Sequence, residues 1–171
     1  MISTIPTSKR QVCAFTLGDH LFGIDISYVQ EVLRFQECTP VPLTPPLVSG
    51  LLNLRGQLVL AIDLRERLGL GTQNHEKSRT NIVTRIGNGI LGFVVDELFD
   101  IMSLDNEHFA QTPGTMSQEE QQFVTGCFKL NKRLLIMLDA VQLADISATL
   151  RANLRDNHIQ REQGTSLCIG Q

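Results

Sequence analysis

The chain has 171 residues, of which 42% are apolar and 19% charged, and its formal net charge is −3 at pH 7. This length suits one domain or two closely packed subdomains, and such a chain buries roughly 70% of its unfolded surface without a metal or a disulfide. The acidic balance, the lack of a long Lys/Arg run and the absence of tryptophan argue against nucleic-acid binding, which needs a basic face and stacking platforms.

The cysteines are scattered along the chain as Cys13, Cys38, Cys127 and Cys168. No CxxC pair is present, so we expect no zinc site, no other metal and no cofactor. Cys13 and Cys127 lie in apolar runs and are expected to be small buried side chains. No secretory segment opens the chain and no apolar run approaches 18 residues, which predicts a cytoplasmic protein with reduced thiols.

The first part of the chain predicts a hairpin and a short helix. Residues 1–9 are polar and without period, and we expect a disordered lead-in. Residues 11–17 and 21–24 alternate around a Gly-Asp turn, which is typical of a β-hairpin. Ser27 with Gln30 three residues later forms a capping-box pattern, and apolar residues then recur at helical spacing, so a short helix is predicted here.

The proline-rich segment 39–46 is expected to be an extended connection, because proline fixes φ and removes a backbone donor. Residues 51–55 and 58–64 form the clearest hairpin pattern in the chain. Gly56 at the first central position, followed by Gln57, predicts a type II′ turn.

The middle of the chain predicts a meander. Residues 65–68 can make one helical turn and 72–79 a surface loop. Residues 80–86 and 90–96 flank a Gly-Asn-Gly turn as a second hairpin, and 98–104 is expected to continue it as a third strand of the same meander.

The last part predicts a long loop, a hairpin and a helix. Residues 105–122 are polar and form the loop, and 123–130 is expected to pair with 133–138. Asp139 caps a helix with an apolar stripe, and the chain past Arg155 is expected to be a frayed tail. About nine short strands separated by turn signals are typical of small barrels or sandwiches.

Enzyme chemistry finds little support in the sequence. The two Gly-rich places, 69–71 and 87–89, lack the strand–loop–helix context and the Lys-Ser/Thr ending of a phosphate loop, so both predict turns. Asp96 and Asp100 could act as paired carboxylates, but no feature separates their environments, and turn formation explains them. A small hydrolase that uses Asp96 or Asp100 remains a remote alternative.

A purely solubilising role explains Arg55 less well than it explains the other polar residues discussed above. In a strand, Asn53 and Arg55 share one face while Leu52 and Leu54 take the other, which places Arg55 on the solvent side at the end of a tight hairpin. Such an arginine is often only solubilising. A guanidinium held by a rigid hairpin is also a good anchor for a protein contact.

Eight short strings carry a family resemblance when they are taken in order. They are Phe15-Thr16-Leu17-Gly18, Phe22-Gly23-Ile24-Asp25-Ile26, Val29-Gln30-Glu31-Val32, Asn53-Leu54-Arg55-Gly56, Ile62-Asp63-Leu64-Arg65, Gly92-Phe93-Val94-Val95-Asp96, Asp100-Ile101-Met102-Ser103-Leu104 and Val124-Thr125-Gly126. Together they resemble the CheW family of bacterial chemotaxis coupling proteins, from about residue 11 to about residue 150.

The resemblance implies a mainly β fold of two packed five-stranded SH3-like β-barrel subdomains, with a short early helix and a C-terminal helix. We expect a lead-in at 1–9, a CheW-like domain at 10–150, and a helix end with a flexible tail at 151–171.

The implied role is that of a non-enzymatic adaptor in signalling arrays at the inner face of the membrane. Its implied partners are the cytoplasmic tips of chemoreceptors (methyl-accepting chemotaxis proteins) and the regulatory domain of the histidine kinase CheA. A chemosensory pathway that controls pili or gene expression is the alternative.

The family's receptor contacts lie in a groove between the barrels. By motif, the resemblance places them here on Val29, Glu31, Arg55, Gly56, Leu91 and Ile101. Core packing explains Val29 and Ile101 equally well, since both also fit apolar stripes. The resemblance does not place the kinase contact on individual residues.

Overall fold

The computed structural model describes residues 8–34, 36–71, 79–112 and 118–165, with 119–120 and 157–165 as backbone only. The strands are β1 Lys9–Leu17, β2 His20–Asp25, β3 Val29–Arg34, β4 Val48–Leu54, β5 Gln57–Asp63, β6 Thr80–Ile86, β7 Gly89–Val95, β8 Glu97–Asp105, β9 Phe109–Ala110, β10 Val124–Lys129 and β11 Leu134–Leu138. The helices are α1 Leu64–Arg67, α2 Gln118–Gln121, α3 Ala140–Ala144 and α4 Ser147–Thr165, with 3₁₀ turns at Ile26–Tyr28 and Asn106–His108.

The described strands form two sheets. One has six strands in the order β8-β1-β2-β11-β10-β9, and the other has five in the order β3-β6-β7-β5-β4. The whole five-stranded sheet is inserted in the chain between β2 and β8. The predicted mainly β fold of two SH3-like subdomains is confirmed, and the sixth strand of the larger sheet is the two-residue β9.

The five-stranded sheet curls so that its two edges meet. Thr39, which follows β3, and Leu51 of β4 exchange both backbone hydrogen bonds at 2.8 Å. The side-chain amide of Gln36 donates to the carbonyl oxygen of Asn53 at 2.8 Å. These contacts join the segment after one edge strand to the other edge strand, so the sheet closes as a small barrel.

Three apolar cores stabilise the fold, because both faces of the central strands are buried. In β1, Phe15 and Leu17 point into a core between the two sheets, while Val12 and Ala14 point into the six-stranded sheet. Leu52 is one of the residues that fill the five-stranded sheet. The core between the sheets also contains Ile24, Ile62, Ile82, Phe93 and Leu143. Burial of this kind contributes about 1.5–3 kcal/mol for each large apolar side chain.

The two sheets are structural repeats of one another. Each contains one parallel pair, β11 with β2 and β5 with β7, at the same place in the strand order. Gly50 and Gly126 both have positive φ at an irregularity of the ladder. Asp63 is the last residue of β5 and Asp139 directly follows β11, and each caps the next helix by accepting two backbone N–H groups. The sequence shows no repeat of 20 to 50 residues, because this unit is longer and its strands are split by the insertion.

The predicted helix after Ser27 is wrong. The Asp25 carboxylate accepts the N–H of Ser27 and caps a single 3₁₀ turn. The chain then becomes extended at Val29 and pairs with β6 as an edge strand. The ladder to β6 outweighs the local capping signal, and Val29 and Val32 are β-branched residues that suit a strand.

The predicted third strand of the middle meander is also wrong. β8 leaves the five-stranded sheet and pairs with β1 of the other sheet. At the C-terminus, Asp139 caps a helix as predicted, but that helix ends at Ala144. Asp145 then caps the longer α4, whose backbone runs to Thr165, ten residues beyond the predicted end at Arg155.

The structure also tests the predicted positions of several other elements. The hairpins at β1–β2, β6–β7 and β10–β11 and the single helical turn α1 are confirmed. The predicted loop 105–122 contains a 3₁₀ turn, β9 and α2. Predictions for residues 1–7, 72–78 and 166–171, including Cys168, lie outside the described residues.

Candidate functional site

The β4–β5 hairpin turns on Arg55 and Gly56, whose φ angles are 52° and 89°. Two consecutive positive φ values are typical of a type I′ turn, so the predicted type II′ turn at Gly56-Gln57 is wrong. The reason is the register, in which Leu54 pairs with Gln57 and leaves Arg55 between the strands. The Asn53 carboxamide oxygen accepts the N–H of Gly56 at 2.8 Å and holds this turn.

Arg55 forms an ion pair with Glu31 that we call the seam pair. Its Nη2 donates to the Glu31 carboxylate at 3.2 Å. Glu31 lies on β3 and Arg55 at the end of β4, so the pair spans the two edges that meet when the sheet closes. The Arg55 side chain is 82% exposed and that of Glu31 only 20%. Within the described part of the chain this is the one partner of Arg55, and the rest of the guanidinium faces water.

Val29 and Leu91 lie in one row across the five-stranded sheet. Val29 pairs with Thr84 of β6, and Thr84 pairs with Leu91 of β7. Both apolar side chains are partly buried and pack against the core between the sheets. They can therefore line the boundary between the two subdomains while contributing to the core.

Ile101 lies on the other sheet, in β8, directly opposite Cys13. Partners in an antiparallel pair point to the same side, so Ile101 is on the face of the core between the sheets, yet its side chain is 54% exposed. The structure therefore brings Glu31, Arg55 and Gly56 together, but places Val29, Leu91 and Ile101 in other parts of the surface. Their role as contacts stays a prediction.

Leu58 is a surface residue that the sequence reasoning missed. Its side chain is 68% exposed, and it lies opposite Asn53, just after the turn that carries Arg55. The alternation of side chains along β5 could have revealed this exposure, because Leu58 lies directly across from a polar residue, Asn53, at an open hairpin end. An exposed leucine beside an exposed guanidinium is a combination that protein contacts use.

The carboxylates of the hydrolase alternative are engaged in structural contacts. Asp96 accepts hydrogen bonds from the Arg65 guanidinium and from the N–H of Gly18, each at 2.6 Å. Asp100 accepts the N–H of Ile101 at 2.7 Å. Asp96 lies at the bend between β7 and β8, as expected for a junction residue, and its carboxylate also forms an ion pair with a buried arginine. Among the described residues, no three His, Cys, Asp or Glu side chains are gathered so that they could hold a metal ion.

Burial disfavours ionisation of the thiols of Cys13 and Cys38. Burial raises the pKa of Cys13 to about 11. Burial also raises the pKa of Cys38, and the positive charge of Arg79 opposes this in part. Cys13 and Cys127 are buried, as predicted. In the part of the chain that the structure describes, no helix has the length and hydropathy to cross a membrane.

Comparison with known proteins identifies the family. The model of the CheW-like domain matches residues 11–147. The chain is 33% identical to the chemotaxis protein CheW of Klebsiella aerogenes over 137 residues, which are 80% of this chain and 82% of that protein. It is 27% identical to the protein PilI of Pseudomonas aeruginosa over 71% of this chain and 68% of that protein.

A solved structure shows the same fold. The scaffolding protein CheW of Thermoanaerobacter tengcongensis superposes with a TM-score of 0.74 at 27% identity, covering 82% of this chain and 95% of that one. The chain belongs to the CheW-like domain family.

Proposed function

We propose that this protein is a non-enzymatic adaptor that couples chemoreceptors to the histidine kinase CheA in chemotaxis arrays. The seam pair, with Gly56, is its receptor contact, and Val29, Leu91 and Ile101 extend that contact along the boundary between the subdomains. Recruitment by the receptor tips would hold the adaptor at the inner face of the membrane. The family membership supports the adaptor role, and the geometry of the seam pair supports the site.

The observation that carries the site assignment is an exposed guanidinium held in a fixed place. A free surface arginine loses about 2 kcal/mol of rotamer entropy when a partner immobilises it. Arg55 stands on a rigid turn and is already anchored at one corner by Glu31, so part of that entropy is lost before binding. The planar face and the remaining donors stay available for a carboxylate or carbonyl group of a partner.

Co-sedimentation with receptor-containing membranes and CheA tests the proposal. We expect Arg55→His and Glu31→Ala to reduce the amount of adaptor that sediments. Their thermal stability should stay near that of the wild type, because an exposed ion pair contributes about 0–1 kcal/mol. Arg155→Ala is the matched control, since it removes an exposed arginine from α4 far along the chain. Wild-type recovery of both seam variants would reject the site.

A charge exchange separates the two roles of the seam pair. The double variant Glu31→Arg with Arg55→Glu keeps an ion pair across the seam but reverses the charge at the exposed end. If Arg55 contacts the receptor, this variant sediments as poorly as Arg55→His. If the pair only holds the hairpin, the exchange restores wild-type sedimentation and refutes a direct contact.

A second candidate keeps the adaptor role but places it in a chemosensory pathway that controls pili or gene expression. The similarity to the protein PilI is the observation that favours it. Affinity purification of the tagged adaptor, followed by identification of the kinase and receptor recovered with it, decides between the pathways. The remote alternative, a small hydrolase that uses Asp96, would be supported by measurable substrate turnover that is abolished in the Asp96→Asn variant.

A further inference from the structure

The six-stranded sheet has an open groove at one end, which we call the β8 groove. It has a volume of about 710 Å³ and lies between β8 with its following 3₁₀ turn and the β10–β11 hairpin. Its apolar lining includes the buried Leu21 and Phe128 and the partly buried Met102 and Leu104. Phe99 stands at the rim with half of its side chain exposed. A concave apolar floor of this size suits an inserted side chain.

The hairpin side of the β8 groove is basic. Lys129, Lys132 and Arg133 lie along it, and among the described residues Asp105 is the single lining carboxylate. Lining cations therefore exceed lining anions by two, in a chain whose formal net charge is −3. No ion pair within 4.0 Å joins these three cations to a carboxylate among the residues that the structure describes. The Arg133 guanidinium instead lies over the Phe99 ring, 5.8 Å from its centroid.

The corresponding end of the five-stranded sheet is closed by its own side chains. The strand registers identify Glu31 and Asp100 as equivalent positions. Glu31 lies opposite Val83, which lies opposite Gly92. In the same way, Asp100 lies opposite Ala14, which lies opposite Gly23. The seam pair spans the first end. At the equivalent end of the six-stranded sheet, the Asp100 carboxylate accepts the backbone N–H of Ile101. Asp100 therefore does not neutralise the positive charges of the β10–β11 hairpin.

We propose that the β8 groove is a second protein-docking site, which binds a partner segment with Asp or Glu residues on both sides of one aromatic or branched apolar side chain. The apolar side chain enters the groove over Phe128, and the carboxylates pair with Lys132 and Arg133. This inference stands apart from the proposed receptor contact, since the seam pair lies on the other sheet and Ile101 is on the opposite face of β8 from the groove-lining Met102. Concave shape favours a peptide over a lipid surface, which needs a protruding apolar face.

Selection from a displayed library of random 12-residue peptides on the full chain tests the site. We expect enriched peptides to carry acidic residues around one apolar anchor. Their binding, measured by fluorescence anisotropy, should weaken roughly tenfold or more in Lys132→Glu with Arg133→Glu, and should fall with rising salt. Phe99→Ser should weaken it too. Arg155→Ala, which removes an exposed arginine from α4, is the matched control and should bind like the wild type.

Each other outcome overturns the proposal. Enriched peptides without acidic residues, no enrichment at all, or equal binding by the charge-reversed variant would show that the groove is not such a site. Flotation of the wild type, but not the charge-reversed variant, with vesicles containing phosphatidylserine would assign the basic hairpin to a membrane surface. Concentration-dependent dimerisation that the same variant abolishes would assign it to a second copy. Wild-type sedimentation of both seam variants would reject the receptor contact without changing any of these readouts, so the two proposals fail separately.

Discussion

The two sheets share one strand order but differ in the side chains that close their ends. In the five-stranded sheet, Arg55 reaches across the seam to Glu31, and Gln36 adds a hydrogen bond to Asn53. In the six-stranded sheet, the equivalent end is open and Arg133 lies over an aromatic ring. The backbone framework is thus held constant while polar side chains at the ends differ. The two ends therefore present different surfaces on a common framework, and the strand ladders supply rigidity.

A second difference lies behind the equivalent capping aspartates. Two residues after Asp63 stands Arg65, which is buried and pairs with Asp96. Two residues after Asp139 stands Val141, whose side chain is 44% exposed. In the first half, the side chain of Arg65 is thereby linked to the other sheet, because Asp96 also accepts the N–H of Gly18 in the β1–β2 turn.

Breaking that contact should produce the largest effect on stability. Asp96→Ala removes the partner of a buried guanidinium, and loss of one partner of a buried ion pair costs about 3–5 kcal/mol. We expect the free energy of unfolding, measured by urea denaturation, to fall toward the lower part of that range, since the Asp96 side chain is 24% exposed.

A double variant is the control for this prediction. Arg65→Met with Asp96→Ala removes both charges and should recover part of the lost stability, because no buried charge is left without a partner. A loss below about 1 kcal/mol in the single variant would show that the ion pair does not tie the sheets together.

The two bulge glycines should respond alike if the halves are true repeats. A methyl group on Gly50 would clash with the carbonyl of Thr39, and one on Gly126 with the Phe109 ring and the carbonyl of Ala110. Their φ angles, 139° and 157°, add backbone strain for any other residue. We expect Gly50→Ala and Gly126→Ala each to lower the free energy of unfolding by about 2–4 kcal/mol.

Gly87→Ala provides the comparison for these variants. Gly87 also has a positive φ, but nothing lies within 4 Å of the added methyl group. Gly87→Ala should lower the free energy of unfolding by about 1 kcal/mol, which measures the backbone contribution alone. If Gly126→Ala lowers the free energy of unfolding no more than Gly87→Ala does, the close approach of β9 to β10 does not contribute to stability. Gly126 would then lack the structural role that Gly50 has in the five-stranded sheet.

The fold could be predicted where local pattern and tertiary pairing agree. Runs separated by turn residues, Gly87-Asn88-Gly89 in one case and Asn131-Lys132 in the other, predicted the β6–β7 and β10–β11 hairpins, since a tight turn sets both strands of a pair. The helix predicted after Ser27 failed because β3 gains a full ladder with β6, a partner about 50 residues away that local spacing cannot reveal. The transfer of β8 to the other sheet failed for the same reason.

The candidate site was only partly accessible from sequence. Glu31 was identified only through the family resemblance, whereas the hairpin pattern also singled out Arg55. Their contact depends on closure of the sheet between non-adjacent edge strands. The geometry of Arg55 was misjudged because the type I′ turn is unusual for arginine, which seldom adopts positive φ. The buried pair of Arg65 with Asp96 had no sequence signal, since each residue reads as a surface charge on its own.

The smallest of the predicted effects concerns Cys13, at the position where the other half has Ile82. Both residues lie in the core between the sheets, and each faces the strand that carries the equivalent glycine. Burial raises the pKa of Cys13 from 9.0 to about 11. At pH 8 the thiolate fraction therefore falls from about 10⁻¹ to about 10⁻³. Because Cys13 is also closed to solvent, alkylation by iodoacetamide should be slower in the native chain than in urea by a factor of about a hundred or more.

The sign of the pH dependence follows from the same shift. The unfolded thiol ionises near pH 9.0 and the native thiol near pH 11, so the native chain holds a proton that the unfolded chain has lost. The contribution of Cys13 to stability is thus constant below pH 9 and declines between pH 9 and 11. Peptide mass spectrometry of the labelled Cys13 measures the rate directly. Labelling of the native chain within tenfold of the unfolded rate would show that this position is more open than its isoleucine counterpart, and that the core between the sheets is packed less tightly on the side of β1.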